Sequence, residues 1–176
     1  MKEFDIANVK PEWMDVVQEF PEIFLIPSKY VLESWEKYHE VSDYIPKNKE
    51  DLVNLRFGFE CRVGWKEILR GHLKKIQVLI NDHAKENGKD ACYKGCILKE
   101  KFGSLRDQGD IDGEDKKEYW PIYSRLCDEI YRKSIRTCEV TGTVGVTCKN
   151  AGGWVKTLSE SEYSKDDRFS PCDDEP

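Results

Sequence analysis

Between residues 64 and 83 the side chains of Trp65, Ile68, Leu69, His72, Leu73, Ile76, Leu79 and Ile80 recur at steps of three and four. That is the spacing at which side chains share one face of an α-helix, and an apolar face of this length must be covered by another element. A second stripe, Tyr119, Ile122, Tyr123, Leu126, Cys127 and Ile130, predicts a helix over residues 117–135, in which Pro121 is tolerable only because it lies near the start. The two faces predict a core in which Trp65, Leu69, Leu73 and Ile76 pack against Leu126 and Ile130. A chain of 176 residues can bury such a core without staples. With 39% hydrophobic and 35% charged residues it is too rich in core material for a disordered chain and too charged for a membrane protein.

The rest of the chain reads in shorter pieces. Prolines 11, 21, 27 and 46 leave room only for short helices at residues 11–20 and 28–38. Leu55, Phe57 and Phe59 alternate within a predicted strand at residues 52–60. Asn87 and Gly88 end the first long helix, and a strand is predicted at residues 97–105, followed by an acidic loop at 107–115. That loop is not a calcium loop, because counting from Asp107 the third position is Gly109 rather than an oxygen donor. Four glycines between residues 137 and 158 predict small hairpins, after which the chain is polar and acidic. The expected fold class is α+β, mainly helical, with two long amphipathic helices, a small antiparallel sheet and a C-terminal hairpin unit. The expected divisions are an N-terminal helical segment (1–50), an α+β core (51–136), a hairpin unit packed on the core (137–162) and an acidic tail (163–176) that adds little to folding, with Phe169 the residue able to overturn that.

Three segments resemble, in order and spacing, a family of uncharacterised proteins found mostly in phages and prophages. The first runs Arg56, Phe57, Gly58, Phe59, Glu60, Cys61, Arg62, Val63, Gly64, Trp65, where the family usually has Gly-Asp in place of Arg62-Val63. The second is Lys99, Glu100, Lys101, Phe102, Gly103, Ser104, Leu105, Arg106. The third is Thr137, Cys138, Glu139, Val140, Thr141, Gly142, followed by Gly152, Gly153, Trp154, Val155, Lys156, Thr157, Leu158, Ser159. The resemblance implies a zinc knuckle in the third segment, with a C-x2-C pair and a later Cys and His pair. Here those positions are Cys138, Thr141, Ser159 and Glu162, so one thiol remains of four soft or borderline donors. The expectation is a degenerate knuckle that folds without metal or other cofactor, using Trp154, Val140, Val144, Val146 and Val155 as packing, docked on the end of the second long helix with Cys138 buried.

Other chemistry is sparse. Cys92 and Cys96 form a lone C-x3-C, and a structural metal site needs two ligand pairs. Cys148 has no second pair through which to rebuild a site with Cys138. His39, His72 and His83 are the three histidines, and the latter two fall on the apolar helix face, where a core role is the commoner one. No phosphate-cradling glycine loop, nucleophile elbow or HExxH motif is present. Seven cysteines, an odd number, without a secretory leader predict reduced thiols and a cytoplasmic location, the host cytoplasm for a phage-encoded chain.

The net charge of -6 is uneven: residues 160–176 hold seven acids against Lys165 and Arg168, leaving 27 acids against 26 bases before them. This disfavours a globally basic nucleic-acid binder. Lys66, Arg70 and Lys74 nonetheless form a basic row on the first long helix, able to grip phosphates or an acidic partner, although such rows are usually solvated flanks. The leading expectation is a non-catalytic phage-type accessory protein that binds a protein partner, a host or defence factor, with Lys66, Arg70, Lys74 and Trp154 as candidate contacts. A nucleic-acid-binding descendant of the knuckle ranks second, an enzyme with an unrecognised site third, and no membrane association is expected.

Overall fold

The computed structural model describes residues 9–24, 59–87, 91–94, 97–113 and 116–172. The expected helix at 28–38, most of the expected strand at 52–60, His39, Cys96 and the side chain of His83 lie outside the described residues. The protein is α+β. Its elements are α1 (Met14–Glu19) and α2 (Pro21–Phe24), β1 (Phe59–Glu60), α3 (Lys66–Asn87), β2 (Ala91–Lys94), β3 (Leu98–Lys101), β4 (Ser104–Asp107), β5 (Asp110–Gly113), α4 (Lys116–Ser134), β6 (Val146–Asn150), β7 (Val155–Leu158), α5 (Glu160–Tyr163) and β8 (Phe169–Pro171).

The stripe on α3 is buried as its periodicity requires: Trp65, Leu69, Leu73 and Ile76 are fully buried. They share one core with Ile130 of α4, while Leu126 and Cys127 pack at its edge. Ile122 was expected in that core and is exposed instead, because α4 turns Tyr119, Tyr123 and Ile130 inward. The first helices dock there too, with Trp13 stacked on Phe59 at a centroid distance of 4.5 Å.

Two stretches differ from expectation. Residues 97–105 were expected as one strand and form a hairpin, β3 antiparallel to β4, while β1 runs parallel to β3 on its other side. Residues 107–115 were expected as a loop and contain β5, which pairs antiparallel with β2. The turn-forming Asp and Gly residues there are tolerated because cross-strand pairing and the burial of Tyr93 and Ile111 outweigh local preference. In the last third β6 is central, with β7 on one side and β8 on the other, all antiparallel. The polar tail thus carries a strand, and Phe169 is buried with Cys148 and Leu158 in a second small core.

Candidate functional site

The three segments quoted above meet in space. Gly64 donates its N–H to the Glu139 carbonyl at 2.9 Å, and Trp65 Nε1–H donates to the Thr137 carbonyl at 2.6 Å. A Cβ on Gly64 would stand 2.4 Å from the Cys138 carbonyl oxygen, so the first segment needs glycine for the third to approach. The second and third segments are joined by the Thr157 hydroxyl, which donates to the Gly103 carbonyl at 2.6 Å. The hairpin unit therefore docks on the start of α3 and on the β3–β4 turn. Beside the end of α4, the Gly145 N–H donates to the Arg136 carbonyl at 3.0 Å and Thr137 bridges to Val144.

This docking sets two exposed aromatic residues on the lining of one cleft. Phe102 sits in the β3–β4 turn with φ of 53° and is 72% exposed. Positive φ is uncommon for a bulky residue, and this one gains no burial from it. Gly103 follows at φ 70°, and a Cβ there would meet Val155 Cγ1 at 3.0 Å. Across from it, Trp154 is 70% exposed at the β6–β7 turn, where its N–H donates to Asn150 Oδ1 at 2.9 Å. The two turns border a cleft of about 350 Å³, lined also by Glu100, Lys101, Gly152, Gly153 and Val155. Lys101 Nζ lies 5.6 Å from the Phe102 ring centroid.

Trp154 is thus at a concave surface, and its expected packing role is corrected. Val144 and Val146 are exposed too, while Val140 packs at the edge of the second core. The basic row is placed elsewhere and is largely engaged. Lys66 Nζ is 2.7 Å from Asp15, and Arg70 pairs with Asp15, Glu19 and Glu67. The Lys66 hydrogen bond holds the Asp15 carboxyl below its usual range, and Glu19 raises the Arg70 pKa. These cations hold α1 to α3, and of the row Lys74 is exposed.

At the expected knuckle, Cys138 is fully buried. The Gly142 N–H donates to its carbonyl at 2.9 Å, and the Thr141 N–H points at its sulfur at 3.5 Å, with Gly142 at φ 75°. Burial pushes the Cys138 thiol pKa up, but hydrogen bonds from Thr141, Ser159 and the Val140 amide outweigh it and leave the pKa below its ordinary value. Glu162 is not part of this group and pairs with Lys165 at 2.7 Å. Cys148 lies in the second core and Cys92 in β2.

A polar cluster that the sequence did not announce lies in the main core. His72 Nε2 is 2.7 Å from Asp107 Oδ2, and both side chains are almost completely buried. Asp107 Oδ1 accepts from the Tyr93 hydroxyl at 2.6 Å and from the Gly109 N–H at 2.7 Å. His72 was expected as a core histidine with its polar atoms satisfied, yet its Nδ1 has no partner.

No family model matches the chain, and neither a curated protein nor a solved structure matches it.

Proposed function

We propose that this chain is a non-catalytic accessory protein of the phage type that binds a protein partner through the Phe102 and Trp154 cleft. One observation carries the reading: Phe102 keeps a backbone conformation unfavourable to a bulky residue while its ring stays in solvent. The two-residue β3–β4 turn requires positive φ here, where asparagine or glycine is preferred, so an exposed phenylalanine costs stability without burial in return, and such costs cluster at binding sites. Exposed Trp and Phe fixed on tight turns supply contact area at low entropic cost, and aromatic rings dominate the energetics of interfaces. The partner that fits presents an apolar side chain between the two rings with a carboxylate beside Lys101. Residues 137–162 are read as a knuckle in which Thr141 and Ser159 hydroxyls replace lost ligands around Cys138, so the unit acts as the mount for Trp154. The chain acts in the cytoplasm, host cytoplasm if phage-encoded; among the described residues no helix is long and apolar enough to cross a membrane.

The test uses the whole protein as bait in bacterial lysate, followed by calorimetry with the purified captured protein. Phe102→Ala with Trp154→Ala should weaken that complex at least about tenfold, a loss of about 1.4 kcal/mol, while leaving the fold intact. Equal affinity of the double variant would remove the cleft from the interface. A second reading, single-stranded nucleic acid stacked on the same rings, is favoured by Lys101 beside Phe102. It requires affinity that falls steeply with salt, and recovery of nucleic acid alone would replace the first reading.

A further inference from the structure

His72 on α3, Asp107 at the end of β4 and Cys127 on α4 each offer one donor atom, and these atoms lie within 4.8 Å of one another. Among the described residues no other His, Cys, Asp and Glu side chains converge in this way. Two further atoms beside the cluster are buried without a hydrogen-bond partner, His72 Nδ1 and the Tyr123 hydroxyl. The Tyr123 hydroxyl stands against Asp107 and Cys127, whose negative character, after burial, raises its pKa. Enclosure and the pairing of Asp107 argue against an exposed nucleophile, and the Cys127 thiol is pushed up to about 12, by burial first and by the Asp107 charge second.

We propose that His72, Asp107 and Cys127 bind one divalent transition-metal ion of the zinc class, with the Tyr123 hydroxyl or a water as fourth ligand. One nitrogen, one carboxylate oxygen and one sulfur suit zinc or cobalt and not magnesium or calcium, which take oxygen donors. The charges balance: carboxylate and thiolate together neutralise a divalent ion, so the occupied site carries no net charge into the core. Binding transfers the Cys127 thiol proton to solvent and forms the metal–sulfur bond, one proton per ion, because the cation reverses the local field that keeps the thiol protonated. Imidazole binds neutral, its second nitrogen keeping the ring proton. Asp107 is already oriented, since Tyr93 and Gly109 hold Oδ1 and leave Oδ2 to exchange the imidazole for the ion. The ion would tie α3, β4 and α4 at one point, a structural rather than catalytic role.

The test is titration of the chelator-stripped full-length protein with Co²⁺. The expected result is a thiolate-to-cobalt charge-transfer band saturating at one equivalent, displaced by Zn²⁺, with release of one proton per ion. Cys127→Ser should abolish the band, Cys138→Ser should leave it unchanged, and Tyr93→Phe, which removes the hydroxyl that supports Asp107, should weaken binding roughly 10- to 100-fold. Should Cys127→Ser fail to fold, the wild-type stoichiometry and the Tyr93→Phe affinity still decide. Absence of a band in folded wild-type protein overturns the proposal, as does a band that survives Cys127→Ser and disappears in Cys138→Ser.

Discussion

The Thr157 hydroxyl and the Gly103 carbonyl, 54 residues apart in sequence, form a buried 2.6 Å hydrogen bond. It holds the turn that carries Phe102 to the hairpin that carries Trp154. Thr157→Val keeps the shape but leaves the Gly103 carbonyl buried and unpaired, which should cost about 1–3 kcal/mol in urea denaturation. Thr157→Ser should recover most of that loss, and equal losses for both variants would show that the methyl packing matters instead.

Two glycines of α3 and its approach make opposite predictions. At Gly64 an added Cβ meets backbone of Cys138 and Glu139, whereas at the exposed mid-helix Gly71 it meets nothing within 4 Å. Gly64→Ala should destabilise by about 1–3 kcal/mol through overpacking. Gly71→Ala should stabilise by about 0.5–1 kcal/mol through the better helix propensity of alanine. Thermal midpoints moving the same way in both variants would contradict the docking of the hairpin unit on Gly64.

Glu139 is buried, with Arg62 Nε 3.3 Å from one carboxylate oxygen and the other oxygen unpartnered. Burial raises its carboxyl pKa above the ordinary 4.5, opposed in part by Arg62 and Lys156. A raised folded-state pKa means that the folded chain holds a proton the unfolded chain has released, so this stabilisation is complete below 4.5 and lost as pH rises through the folded value. Glu139→Gln, neutral at every pH, should therefore gain stability relative to wild type on going from about pH 4 to about pH 7. Denaturation midpoints whose difference runs the other way would mean that the Arg62 pair dominates.

Phe169→Ala should destabilise the β6–β7–β8 sheet toward the low end of the roughly 3–5 kcal/mol typical of buried Phe, since its core is small. Its ring is buried, with Lys156 Nζ 4.8 Å from the centroid. Leu73→Ala, fully buried in the main core, should cost about 2–5 kcal/mol. Calorimetric unfolding checks both, and a melting temperature unmoved by Phe169→Ala would restore the view of residues 163–176 as a mere tail.

What was legible in the sequence was periodicity. The α3 stripe fixed which side chains are buried because a long amphipathic face allows few orientations. The β3–β4 turn was hidden because Phe102 occupies a positive-φ position where a glycine or asparagine would have signalled a turn. β5 was hidden for the converse reason: Asp110 and Gly113 read as loop residues, and only pairing with β2, some twenty residues earlier, makes them a strand. The basic row was visible, but its neutralisation by Asp15 and Glu19, more than 50 residues upstream, was not. Trp154 was picked out by residue type, while its companion Phe102 and the His72, Asp107 and Cys127 cluster depend on contacts between distant segments that no local pattern encodes.

The left-handed backbone at Phe102 sets this position against the stability of its own turn. Relaxing it with asparagine or glycine removes a conformational penalty of roughly 1–2 kcal/mol, less whatever glycine adds through chain entropy. A library of variants sorted by heat resistance alone would therefore discard the phenylalanine early, whereas the proposed interface requires that a library sorted by partner capture retain it.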